Sequence, residues 1–349
     1  MEMGGAQVLT VGLLNEMCKE NEVTLIIINN KWNNVLLSLL DKRVKILYIK
    51  RKQGNRSIVP VIRLNMLLFK LKADIIHCHE PNMAKLIVVK WAKLFQTIHD
   101  VGISTRYYHL YDNLIAISDS VYNDIAQKIR QSIKIIYNGV PLSAFRRRDD
   151  YSSPKNTIRL AQISRLIHEK KGQDILIHAM RKLVYDLGIS NCVLDIIGTG
   201  ASHNYLEGLI ANLNLTANVN LIGEKDRPWI MDNLCTYHIL VQPSRYEGFG
   251  LTIIEGFAAG LPVLASNIDG PAEIIAGLPA GFLFENEDHN NCADVLKAII
   301  DCYARNEVRE LVCKTMPVIN EKYSMASCAP KYIQEYKNAF NKAKTPSKF

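Results

Sequence analysis

Several signatures are missing from this chain, and each absence narrows what it can be. No run of about 20 apolar residues occurs, so the sequence offers no spanning helix. The opening Met1-Glu-Met-Gly-Gly has neither the cationic start nor the apolar stretch of a secretory leader. The eight cysteines are scattered and never stand as Cys-x-x-Cys, which fits free thiols in a reducing cytoplasm better than a disulfide frame. No period of 20–50 residues suggests a solenoid, and no nucleic-acid-binding motif accompanies the basic charge. What remains, 349 residues of 48% hydrophobic and 22% charged composition, is a globular chain with room for two ordinary domains.

The formal charge of +8 is uneven. Residues 1–150 hold 22 Lys and Arg against 13 Asp and Glu, and residues 151–349 hold 20 against 21. Two stretches of the basic half mix cations with large apolar residues: Ile58 to Lys72, and Met83 to Phe95 with Lys85, Lys90, Trp91 and Lys93. Such segments can lie on an anionic membrane surface, or serve as buried helices with solvated lysines.

Short β-rich apolar runs alternate with helical patterns along the chain. Strands are expected at Val23–Ile28, Val44–Ile49, up to His79, up to Asp100, at Asn113–Ile117 and at Ile133–Tyr137. A second series follows at Thr157–Ile163, Val193–Ile197, Val219–Ile222, Tyr237–Val241 and Gly281–Phe284. Alternating β and α units with short links imply parallel sheets covered on both faces. The charged, Ser/Pro-containing stretch 146–156 reads as a linker between domains of residues 1–145 and 157–325, with a final helix in 326–349.

Ser244-Arg-Tyr-Glu247-Gly-Phe-Gly-Leu-Thr-Ile-Ile-Glu255 is the most informative segment. It follows an apolar strand, breaks the pattern at Pro243, Gly248 and Gly250, and turns helical from Leu251 until Gly260-Leu-Pro262. Strand, glycine turn and helix leave backbone N–H groups free at a helix N-terminus, a setting suited to phosphate. Upstream, Ser164-Arg165 and Lys170-Lys171-Gly172-Gln-Asp place a guanidinium and an ammonium after another strand. His77 and His79 share a face of their strand by alternation, but no third metal ligand is identifiable. Gly198-Thr-Gly200 starts like a dinucleotide fingerprint, lacks the third glycine at His203, and reads as a tight turn.

These motifs resemble the retaining glycosyltransferases of family 4, with their Glu-x7-Glu signature and Arg-Leu…Lys-Gly-x-Asp segment. The resemblance implies the GT-B fold, two Rossmann-like domains facing across a cleft, with the donor on the second and the final helix returning to the first. It implies that Glu247 approaches the transferred sugar, that Glu255 grips the nucleotide ribose, and that Phe249, Gly250, Leu251 and Thr252 line the donor. Arg165 and Lys171 match the pair holding the diphosphate, although one extra residue before Gly172 lets Lys170 compete for the role. His99 matches a histidine facing the donor sugar, and Gly5 a loop approaching the donor phosphate. Gly223 matches a strand end near the base, and Glu273 follows the family's usual pattern after the Glu motif, although capping a short helix accounts for it. Family members usually open with a strand feeding the Gly-Gly loop. Here Gly4-Gly5 runs straight into a helical pattern, so this first strand is expected to be missing, through the placement of the start or a real loss.

No Asp-x-Asp occurs, so a metal-bridged clamp has no candidate and no metal cofactor is expected. The implied activity is transfer of a sugar from a nucleotide-sugar to a saccharide or lipid-linked acceptor, in bacterial surface polysaccharide assembly. The expected place is the cytoplasm or the inner face of the membrane, with no nucleic-acid partner. An epimerase of the same fold and a silent binding protein are the alternatives.

Overall fold

The computed structural model describes residues 5–52, 54, 57–154 and 157–344. It divides into one unit of Met1–Val140 with Lys322–Phe349 and a second of Pro141–Glu321.

The first unit runs α1 (Gly5–Met17), β1 (Thr24–Asn29), α2 (Asn34–Ser38), β2 (Lys45–Arg51), α3 (Val59–Leu71), β3 (Ile75–Cys78), β4 (Lys93–Ile98), β5 (Asn113–Ala116), α4 (Asp119–Ala126) and β6 (Ile133–Ile135). Among the described residues β1 and β2 pair only with each other, while β3-β4-β5-β6 form a separate parallel sheet. Local chemistry marks the ends of these elements. Ser118 Oγ accepts from the Val121 N–H at 3.1 Å and caps α4. Pro60 sits in the first turn of α3, where its missing N–H costs nothing. The described residues begin in α1 at Gly5 itself, so Gly5 opens a helix and is not held in a loop; Gly4 lies outside them.

The second unit runs β7 (Ile158–Ile163), α5 (His168–Lys171), α6 (Gln173–Arg181), β8 (Cys192–Ile197), α7 (His203–Asn212), β9 (Val219–Leu221), α8 (Arg227–Asn233), β10 (Ile239–Gln242), α9 (Leu251–Ala258), β11 (Val263–Ser266), α10 (Asp269–Ile275), β12 (Gly281–Phe284), α11 (His289–Ala304) and α12 (Val308–Tyr323). Its strands form one parallel sheet in the order β12-β11-β10-β7-β8-β9. β11 is the strand the sequence reading passed over. Four residues close behind Gly260-Leu-Pro262 carry little periodicity, and their complete burial between β10 and β12 decides the matter.

α13 (Met325–Lys344) belongs to the first unit and packs on α1. Leu9, Leu13 and Met17 share a core with Met325, Cys328, Ala329 and Tyr332. The stretch 146–154 is not a free linker. Arg148 donates its backbone N–H to Ala259 at 2.8 Å and its guanidinium to the Tyr237 carbonyl at 2.8 Å, and the Tyr151 hydroxyl reaches Gly260 O at 2.9 Å. Charge and a serine pair look like solvent-facing linker, but these side chains close the underside of the second unit.

Candidate functional site

The second sheet reverses its strand order between β7 and β10, which pair directly with Ile239 opposite Leu160 and Leu240 opposite Ala161. In an open parallel sheet this switch point leaves a crevice at the strands' carboxyl ends. Both sequence-identified loops emerge there: Ser164–Gly172 after β7, and Pro243–Gly250 after β10.

The two loops are stitched together by backbone. Gly172 has φ +64°, and a side chain there would place its Cβ 1.8 Å from Pro243 O. Only glycine allows that approach. The Arg245 N–H donates to Lys170 O at 2.9 Å, and the Arg245 guanidinium reaches His168 O at 2.7 Å while gripping Asp174 with two nitrogens at 2.9 Å each. Burial of Asp174 opposes its ionisation, but the Arg245 fork outweighs this and holds the carboxyl below its ordinary range. Gln173 Nε2 ties the start of α6 back to Arg165 O at 2.9 Å.

This stitching gives the adjacent lysines different surroundings. Lys171 Nζ donates to Glu247 Oε2 at 2.5 Å, with both side chains about one-fifth exposed. Lys170 gives the loop its carbonyl. The Arg165 side chain is exposed beside this pair's loop. Gly250, with φ +103°, then turns the chain into α9 without any side-chain cap. The first amides of α9, at Leu251 and Thr252, therefore stand at a bare helix N-terminus next to the Glu247 loop. Phe249 is buried under the turn.

Glu255 lies one turn into α9 among Ile253, Ile254 and Phe257, and is itself buried. Its carboxylate accepts from Arg227 Nη1 at 2.7 Å, both side chains being 8% exposed. Sequence reasoning missed Arg227. Asp226-Arg-Pro reads only as a helix start, and Asp226 does accept from the Trp229 N–H at 2.9 Å. The available signal was Glu255 itself, since an ionised group inside an apolar helix demands a partner. Arg227 Nε and Nη2 are buried with no hydrogen-bond partner among the described residues. Gly223 lies two residues beyond β9, its carbonyl accepting from the Gly198 N–H at 3.0 Å.

His99 stands in the first unit, at the end of β4. Its Nε2 lies 2.9 Å from His79 Nδ1, so one ring donates and the other accepts. Burial pushes His79 down to about 4; burial, then the neighbouring His79, pushes His99 down to about 3. His77 bonds to Tyr336 Oη and, at 2.7 Å, to Thr97 Oγ1. It is a structural histidine of the first core, and no group of three metal-ligating side chains occurs among the described residues.

Residues 144–311 match the family model described as "Glycosyl transferases group 1", and residues 3–144 the one described as "Glycosyltransferase Family 4". The chain belongs to this glycosyltransferase family. An uncharacterized glycosyltransferase of Methanocaldococcus jannaschii is 26% identical over 65% of the chain and 61% of its own length. The poly(ribitol-phosphate) alpha-N-acetylglucosaminyltransferase of Staphylococcus aureus is 32% identical over 52% of the chain and 35% of its own length. The chain thus spans less than two-thirds of either relative. Anabaena HepE, solved in complex with UDP-glucose, superposes with a TM-score of 0.79 over 97% of both chains at 16% identity, a likeness of fold. Its two Rossmann-like units are those of the GT-B architecture.

Proposed function

We propose that this family member is a retaining, metal-independent transferase that moves a sugar from a nucleoside-diphosphate donor to a saccharide or lipid-linked acceptor. The setting proposed is bacterial surface polysaccharide assembly, with the basic first unit resting on anionic lipid. The observation that carries the reading is the Lys171–Glu247 contact at the switch point, beside the bare N-terminus of α9.

In the proposed reaction the acceptor oxygen bonds to the anomeric carbon on the face the diphosphate leaves. The anomeric C–O bond breaks with its electron pair going to the diphosphate, and a donor phosphate oxygen takes the acceptor's proton. Arg165, Lys171 and the amides of Leu251 and Thr252 receive the developing negative charge, so the scheme calls for no metal. Glu247 is positioned to steady positive charge at the anomeric carbon, with its carboxylate held in place by Lys171. Glu255, fixed by Arg227, holds the ribose. His99 is assigned to the donor sugar and Gly223 to the side of the base. Burial, then the neighbouring His79, keeps the His99 ring neutral, so it serves as a hydrogen-bonding group and not as a cation.

A calorimetric panel of nucleotide-sugars, beginning with UDP-glucose because HepE is solved with it, tests the reading. Glu255→Gln should weaken donor binding about tenfold, or ~1.4 kcal/mol. Arg165→Ala with Lys171→Ala should cut turnover by about 100-fold or more at unchanged melting temperature. No donor binding, or turnover indifferent to these changes, overturns it. An epimerised donor appearing without free nucleotide replaces transfer by epimerisation.

A further inference from the structure

α3 carries two apolar faces where a surface helix needs one. Leu64 and Leu68 point inward with Ile49, Val89 and Ala92. On the opposite side Ile62, Met66 and Phe69 follow an i, i+4, i+7 stripe and are 50%, 67% and 50% exposed, continued by Ile58 and Val59. The segment beside α3 extends the patch. Residues 83–92 form no helix beyond one short turn at Ala84–Leu86, and they turn Val88 and Trp91 outward while Val89 and Ala92 fill the core. Phe69 and Trp91 meet edge to face with ring centroids 5.1 Å apart, so the patch is continuous. Seven of the thirteen large apolar side chains exposed among the described residues lie in it.

The charge around this ridge has one sign. Neither 57–72 nor 83–95 contains an aspartate or glutamate, whereas Arg63, Lys70, Lys72, Lys85 and Lys90 flank the apolar residues and are exposed. Arg63 and Lys70 line a shallow groove together with Val59, Ile62, Met66 and Leu67. A second copy of this chain would bring these cations against each other. An anionic bilayer answers both features, taking the aliphatic and aromatic tips between its headgroups and pairing the cations with its phosphates.

We propose that the outer face of α3, with Val88 and Trp91, is a monotopic anchor that sinks into the interface of an anionic membrane. This assigns the membrane contact of the proposed function to particular residues, and it does not depend on the transfer chemistry. Lys72 and Lys90 mark the depth at which insertion stops, because their ammonium groups snorkel to the phosphates.

Flotation of the full chain with phosphatidylcholine vesicles, with and without phosphatidylglycerol, tests the anchor. The wild type should float only with the anionic lipid, be released by salt, and show a blue-shifted fluorescence component absent from Trp91→Phe. Ile62→Ser/Met66→Ser/Phe69→Ser should abolish flotation, and Lys70→Gln/Lys90→Gln should weaken it roughly tenfold or more. Both variants should keep the wild-type melting temperature and donor binding, which separates failure of the anchor from failure of the transfer reading. Flotation equally strong on neutral vesicles, unchanged flotation of the triple variant, or no flotation of the wild type overturns the proposal. So does self-association in solution that the triple variant removes, which assigns the ridge to a second copy.

Discussion

In the second unit six parallel strands join into one ladder, whereas in the first unit six strands divide into a pair and a set of four with no ladder between them among the described residues. The difference shows in burial. β10 and β11 are buried at every position, while β1 and β3 are fully buried at one position each. A continuous sheet fixes the ends of its strands relative to one another, and the second unit uses that rigidity to hold a cation and a carboxylate in contact across its switch point. The first unit holds its parts together by shared cores: one of α1, α13 and the four-stranded set, another of β1, β2, α3 and β3. The chemistry-bearing contacts of Lys171, Glu247, Arg227 and Glu255 all belong to the unit with the unbroken ladder.

The sharpest way to break the contrast is Gly172→Ala. A methyl group 1.8 Å from Pro243 O, at φ +64°, has nowhere to go, and the two loops must part. The cost should be about 3–5 kcal/mol of second-unit stability, with loss of donor binding and no change in the first unit's own transition. Calorimetry resolves the two transitions, and a mild effect would show that the loops are not held by backbone contact.

A smaller effect should appear in the first unit on acidification. Its half-buried His79 has a folded pKa of about 4 against an ordinary 6.5. Below pH 6.5 the unfolded chain therefore binds a proton that the folded unit refuses. Stability present at neutral pH is lost as the pH falls towards 4, by on the order of 2 kcal/mol at pH 5 for this ring alone. The melting transition of the first unit should drop between pH 7.5 and 5, and His79→Asn should flatten that slope. An equal slope in the variant removes the histidine from the account.

The mildest difference is kinetic. Amides of β1 and β2 should exchange through local opening about 1–2 kcal/mol easier than those of β7, β10 and β11, which exchange only when the second unit opens as a whole. Native-state hydrogen exchange by mass spectrometry measures this, and uniform protection would mean that the divided sheet is as firm as the continuous one.

Much of this was legible beforehand, for identifiable reasons. Parallel strands buried on both faces write themselves as short apolar runs, which is why the runs at Ile158–Ile163 and Cys192–Ile197 fell within a residue of expectation. The Glu247 and Lys171 loops were visible because their residues match the family's motifs and the Glu247 loop ends in a glycine turn at a helix N-terminus. Contacts that depend on a distant partner were not legible. Arg227 meets Glu255 through a fold, not a spacing, and the grip of Arg245 on Asp174 leaves no trace in either neighbourhood. The separation of β1 and β2 from the other four strands is likewise a matter of which edges meet, and hydrophobic runs do not encode edges. In the segment after Met83 the apolar count suggested a helix, but beyond one short turn the chain runs through loop and bends that turn Val88 and Trp91 outward and Val89 and Ala92 inward.

The placement of α13 has a consequence for how this protein comes off the ribosome. Synthesis delivers the whole second unit before Tyr332 and Cys328 exist to complete the core around Leu9 and Phe95. Residues of α1 and β4 must wait for those of α13, which follow the whole second unit, so that unit can mature first while the first unit's core stays open to chaperones.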